Sequence, residues 1–233
     1  MSEYSIERQA WKEESFKKET INKKWDEKME RKARAFVSGF SPKIQEAFEI
    51  ANRIHKNERR KLTYAPYMVH PFGVFKTLTQ YTDDEDTLCG ALLHDTIEND
   101  ENYSVEKLQK DIGTRVAEIV EGVSENRNKN EQRTKQMTWK ERKLGYLEKI
   151  ETDPEPQLMI CAADKIDNLK SIIVGYKKWG ESVWKNFNAS EGDMMWFYEE
   201  VFRILTRRLR NPIIKELKKR IKEIQTLRAA RRN

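Results

Sequence analysis

No stretch of this chain alternates apolar and polar residues with the sustained period of two that an amphipathic strand shows. Apolar positions recur instead at helical spacings. Ile44, Ala47, Phe48, Ala51 and Ile54 follow Ser41-Pro42, an N-cap residue with Pro at the first helical position. Ser104 caps a further short helix that Gly113 can end. Thr138 with Glu141 forms a capping box, and Ser190 with Asp193 a weaker one. Asp153-Pro154 and Asn211-Pro212 are two more helix starts. Only nine Gly and six Pro in 233 residues argue against a turn-rich β architecture. The expectation is an all-α bundle with one core, because 37% apolar residues suffice for one.

Charge divides the chain. The net +6 invites a nucleic-acid partner, but it is unevenly placed. Residues 1–35 hold ten basic and eight acidic side chains, residues 36–202 hold 23 and 29, and residues 203–233 hold twelve and two. The body is therefore mildly acidic and the excess belongs to the tail. The predicted organisation is a charged helical extension over 1–40, a body over 41–206 and a basic amphipathic helix over 207–233. The N-terminal helix would place Ile6, Trp11, Phe16, Ile21, Trp25 and Met29 on the body or on a second copy, with a flexible arm as the alternative. The tail aligns Ile214, Leu217, Ile221 and Ile224 under Lys215, Lys218, Lys219, Arg220 and Lys222. It reads as a helix packed on the body or in a homo-oligomer, with a nucleic-acid contact as the rarer alternative. No apolar run is long enough for a membrane span, and the charged N-terminus carries no targeting signal. Two Cys provide no disulfide framework, so a cytoplasmic location is expected.

The chain has three His. His55, beside Lys56 at a helix end, reads as a surface or capping residue. His94-Asp95 closes an apolar run within Leu88 to Ile97, read as one buried helix in which Gly90 and Ala91 permit close packing. A charged Asp there requires a partner or a cation. Glu98 follows at helical spacing on the same face. A second apolar helix, from Leu158, is interrupted by Asp164, with Asn168 one turn on. His70, His94, Asp95 and Asp164 together make a nitrogen and oxygen donor set suited to Mn²⁺, Fe²⁺ or Zn²⁺ rather than Ca²⁺. A His-Asp pair alone is better read as a satisfied structural pair, and spacing alone only suggests a site.

The ordered motifs sharpen this. Pro66-Tyr67-Met68-Val69-His70-Pro71, Leu93-His94-Asp95-Thr96-Ile97-Glu98 and Ala163-Asp164-Lys165-Ile166-Asp167-Asn168-Leu169 resemble the HD superfamily of metal-dependent phosphohydrolases. They are most similar to the hydrolase domain of RelA/SpoT-type alarmone enzymes and their small stand-alone relatives. Trp139-Lys140-Glu141-Arg142-Lys143 and Trp184-Lys185-Asn186-Phe187-Asn188 support the resemblance, which spans roughly residues 42–206.

The resemblance implies an HD-domain helical bundle that hydrolyses guanosine 3′-pyrophosphate alarmones with a divalent metal, Mn²⁺ above all. It implies metal ligands at His70, His94, Asp95 and Asp164, and Glu98 beside the attacking water with Asn99 adjacent. It places Lys165 and Asn168 at the nucleotide, with Arg60 or Lys61 as a basic contact across a loop one residue different from the family's. Tyr67, Arg142 and Lys143 are further candidates for pocket walls or phosphate contacts. Trp139, Trp184 and Trp196 read as core. The family usually has Glu-Asp where this chain has Glu98-Asn99, so Asn99 lacks the charge expected there. The alternatives are an HD phosphatase for another phosphorylated nucleotide or cofactor, and a weakly active regulatory binding protein.

Overall fold

The structure, a computed structural model, describes residues 19–124 and 137–232, with side chains over 27–124 and 137–231. The described residues form helices: α1 Glu19–Val37, α2 Pro42–Ile54, α3 Val69–Leu78, α4 Glu85–Leu93, α5 Thr96–Asn99, α6 Val105–Ile112, α7 Thr114–Val123, α8 Trp139–Ile150, α9 Glu155–Trp179, the 3₁₀ turn Gly180–Asn186, α10 Glu191–Arg208 and α11 Ile213–Arg232. Among the described residues the only bridge between extended segments is the isolated pair Arg59 and Pro66. The expected all-α class is what is found. Ile6, Trp11 and Phe16, and the side chains of Ile21 and Trp25, lie outside the described residues.

The caps act where the sequence places them. The Ser41 side chain accepts from the Ile44 amide, Ser104 from Lys107 and Ser190 from Asp193, while Thr138 and Glu141 close a full capping box. Gly113 ends α6 at φ 98°, a backbone conformation that L side chains rarely adopt. Asn211 accepts from the Ile213 amide at 3.0 Å and opens α11.

Helix α9 is the axis of the bundle. Its residues Leu158 to Ala163, Ile166, Leu169, Ile172, Ile173 and Tyr176 are buried, because α3, α4, α7, α10 and α11 surround it. Asp164 is thereby carried into the interior. Gly90 lets α4 approach α7 and α9: a Cβ there would stand 2.7 Å from Ile119 Cγ2 and 3.0 Å from Ile160 Cδ1. The tail helix is part of this core. Ile213, Leu217, Ile221 and Ile224 are buried, so its inward stripe begins at Ile213, with Ile214 at the margin. Lys215, Lys218, Lys219 and Lys222 are exposed, whereas Arg220 is bound to Glu216 and Glu223.

Two expectations are corrected. Leu88 to Ile97 is not one helix: α4 stops at Leu93 and α5 restarts at Thr96. The side chains cause the break. His94 Nδ1 bonds the Ala91 carbonyl at 2.8 Å and Thr96 Oγ1 bonds that of Leu93 at 2.6 Å, and Asp95 adopts φ −100°, ψ −3°. His55 does occupy the C-cap of α2, but it is not on the surface. It is 1% exposed, with its ring centroid 4.9 Å from that of Tyr67.

Candidate metal centre

The break between α4 and α5 points His94 and Asp95 at His70, in the first turn of α3, and at Asp164 on α9. Ligand atoms of His70, His94 and Asp95 all lie within 4.8 Å of one another. His94 Nε2 is 3.3 Å and His70 Nε2 3.6 Å from Asp95 Oδ2. Donors bound at ~2.1 Å to one ion stand about 3–4 Å apart, so these separations suit a shared cation. Asp164 stands at the edge of the trio, its Oδ1 3.2 Å from His70 Nε2.

Hydrogen bonds settle which imidazole nitrogens face the centre. The Ala91 carbonyl can only accept, so His94 Nδ1 carries a proton, and in the neutral ring Nε2 presents its lone pair. That Nε2 is buried without a hydrogen-bond partner, which costs free energy unless a cation takes the lone pair. His70 Nδ1 lies 2.7 Å from Asp167 Oδ2, which turns its Nε2 toward Asp95 and Asp164. The donor chemistry and the orphaned nitrogen both fit a transition-metal cation.

The charges are mutually dependent. Burial opposes ionisation of Asp164, yet Lys165, His70 and His94 hold its carboxyl well below the usual carboxylate range. Burial also opposes ionisation of Asp95, and His94 and His70 lower its pKa in turn. Burial would lower the His70 pKa, but hydrogen bonds to Asp164 and Asp167 raise it to about 9.

Beside the centre lies a cavity of about 460 Å³. Arg59, Arg60, Lys61, Lys143 and Lys165 line it together with Tyr67, Trp139, Phe187, Phe197 and Tyr198, a cationic and aromatic lining suited to a phosphorylated nucleotide. Tyr67, Lys165 and Asn168 belong to both regions. The Tyr67 hydroxyl donates to Asp95 Oδ2 at 2.7 Å, Lys165 Nζ to Asp164 Oδ2 at 2.6 Å and Asn168 Nδ2 to Asp164 Oδ1 at 2.5 Å. Arg60 Nη2 donates to Asn168 Oδ1 at 2.9 Å. Of the two basic candidates, Arg60 is thus the one tied to the centre; Lys61 lines the cavity and is exposed. The intervening loop turns at Tyr64, φ 56°. Lys143 Nζ and Lys165 Nζ lie 5.0 and 5.5 Å from the Phe197 ring centroid.

The other candidates are spread around this core. Glu98 is half-buried on α5 and Asn99 is exposed, donating to Glu58 at 2.8 Å. Arg142 is not among the residues lining the cavity: its guanidinium donates to the Met137 carbonyl at 3.0 Å. Trp184 is buried, and Trp139 and Trp196 are half-buried against the core, Trp139 also lining the cavity. A second cavity of about 520 Å³, between α1, α2 and α3, is lined by none of the predicted site residues.

Residues 47–192 match the HD domain family, a span that includes all four expected ligands. The chain belongs to this family. The chain is 35% identical over 134 residues to a guanosine-3′,5′-bis(diphosphate) 3′-pyrophosphohydrolase of Aquifex aeolicus, covering 56% of this chain and 18% of that protein. It is 41% identical over 75 residues to the protein of the same name in Haemophilus influenzae, covering 32% and 11%. The chain thus spans less than a fifth of the length of either relative. Among solved structures, a metazoan ortholog of SpoT that hydrolyzes ppGpp superposes with a TM-score of 0.64 at 25% identity, covering 79% of this chain and 96% of that one. A crystal structure from Listeria monocytogenes gives a TM-score of 0.58 at 26% identity, covering 66% and 97%.

Sequence reasoning missed Asp167. It was visible only as the fourth residue of the Asp164 motif, while its partner His70 stands 97 positions away.

Proposed function

We propose that this chain is a metal-dependent phosphohydrolase that cleaves the 3′-pyrophosphate ester of guanosine alarmones, giving GDP or GTP and pyrophosphate. The carrying observation is the buried, unpartnered His94 Nε2 facing Asp95 beside a cationic, aromatic cavity. His70, His94, Asp95 and Asp164 would hold the divalent ion, Mn²⁺ in this reading. When bound, such an ion lowers the pKa of a water and neutralises phosphoryl charge. Glu98, one turn beyond Asp95, orients the attacking water and takes its proton. Arg60, Lys61, Lys143 and Lys165 offset the phosphate charge and position the nucleotide. Asn168 fixes Arg60 against Asp164.

Cysteines Cys89 and Cys161 are both free and buried, in keeping with the cytoplasmic location we infer. Among the described residues no helix is long and apolar enough to cross a membrane.

A nucleotide panel tests the substrate. Mn²⁺-loaded protein is incubated separately with guanosine 3′,5′-bis(diphosphate), a 3′-phosphorylated nucleotide and a 2′-phosphorylated cofactor. The expected result is pyrophosphate from the first. Turnover of another compound without alarmone cleavage would overturn the substrate and leave the metal centre standing.

A further inference from the structure

Two cations of the cavity beside the centre share one pair of rings. Lys143 on α8 and Lys165 on α9 both sit over Phe197 of α10, their Nζ atoms 5.0 and 5.5 Å from its centroid. The same two ammoniums stand 5.7 and 4.8 Å from the ring centroid of Tyr146, one turn along α8 from Lys143. The rings are themselves fixed. Their centroids are 5.7 Å apart, Trp139 meets Phe197 edge-on at 6.0 Å, and the Tyr146 hydroxyl donates to Cys161 Sγ at 3.2 Å. Both rings are buried, and so is Lys165. Among the described residues the Lys165 ammonium has one hydrogen bond, to Asp164. An ammonium carries three donors, so N–H groups remain for an anion in the cavity. The negative faces of the two rings stand in for water around the buried charge. Lys143, Lys165 and Phe197 all line the cavity.

We propose that Phe197 and Tyr146 are positioning residues that gather Lys143 and Lys165 into one dicationic clamp for a pyrophosphate group. Two ammoniums repel each other, and the ring faces attract both. A ligand with two adjacent phosphate groups offers an anion to each cation, whereas a single phosphate offers one. For the alarmone's pyrophosphate this rests on the hydrolase reading; for inorganic pyrophosphate it does not. Phe197→Leu keeps an apolar side chain and loses the ring face. Phe197→Tyr keeps the face.

The test is calorimetry on the full chain at fixed free Mn²⁺, titrated with inorganic pyrophosphate and separately with inorganic phosphate. Phe197→Leu is expected to weaken pyrophosphate binding about tenfold and phosphate binding no more than about threefold, with Phe197→Tyr within about threefold of the parent for both. Lys143→Met should lose about as much pyrophosphate affinity as Phe197→Leu, and the double variant little more than either, because both dismantle one clamp. In alarmone kinetics the loss should fall chiefly on KM. Melting temperatures identify unfolded variants, and Tyr146→Leu repeats the test from the other ring. A folded Phe197→Leu that binds pyrophosphate as the parent does would overturn the proposal. So would a Phe197→Tyr as weak as Phe197→Leu, or single losses that multiply in the double variant. Coupled loss of pyrophosphate binding, with no alarmone cleavage by the parent, would support the clamp and overturn the substrate instead.

Discussion

Asp167 Oδ2 lies 2.7 Å from His70 Nδ1, in a notch that exists because residue 73 has no side chain. A Cβ on Gly73 would fall 2.3 Å from Asp167 Oδ1. Helix α3 thus supplies both the imidazole and the space for the carboxylate that orients it. Asp167→Ala is expected to weaken Mn²⁺ binding about 10–100-fold, as loss of a partner behind a ligating imidazole usually does. Gly73→Ala should weaken it in the same direction by displacing Asp167 from the opposite side. Calorimetric titration of both folded variants checks the pair, and unchanged affinity in both would remove Asp167 from the centre.

Arg60 and Lys61 are adjacent and both cationic, but only Arg60 has a hydrogen bond to Asn168. A charged hydrogen bond contributes about 1.5–3 kcal/mol, so Arg60→Ala should lower kcat/KM about tenfold or more. Lys61→Ala should cost severalfold less, because an exposed charge is screened. Steady-state kinetics on the two variants decides it, and a larger loss at Lys61 would reverse the assignment.

The tail is a structural helix with a basic outer face. Leu217 is fully buried against the bundle. Leu217→Ala is expected to cost about 2–5 kcal/mol in a denaturant titration. Neutralising Lys215, Lys218, Lys219 and Lys222 together should leave stability within about 1 kcal/mol, since none is buried. A tail that merely hung from the body would give the first variant no penalty.

Removing the Tyr67 hydroxyl isolates one contact to Asp95, a ligand in the proposed centre. Tyr67→Phe keeps the ring beside His55 and deletes the 2.7 Å bond to Asp95. Mn²⁺ affinity should fall about tenfold with little change in melting temperature. Equal affinity would show that Asp95 needs no such support.

The helices were legible because caps and apolar spacing are local, and Ser41, Thr138 and Gly113 act where their chemistry predicts. His94-Asp95 and Asp164 stood out as polar residues within apolar helical runs. The break between α4 and α5 was not legible. Periodicity registers which face is apolar, not that His94 and Thr96 would bond the carbonyls of Ala91 and Leu93. His55 seemed superficial because Lys56 follows it, yet the loop folds Tyr67 over its ring. Asp167 escaped because its partner His70 comes from a distant segment, and spacing carries no information on pairings across the fold. Arg142 matched a motif, but its guanidinium serves the start of α8.

The central claim is that the His and Asp centre holds the metal on which alarmone cleavage depends. Its most direct test is pyrophosphate release from guanosine 3′,5′-bis(diphosphate) by chelator-treated protein, before and after Mn²⁺ is restored, in parallel with folded His94→Ala and Asp164→Ala. The expected result is no release after chelation, recovery with Mn²⁺ in the parent, and none in either variant. Release that persists through chelation, or that survives in His94→Ala, would contradict it.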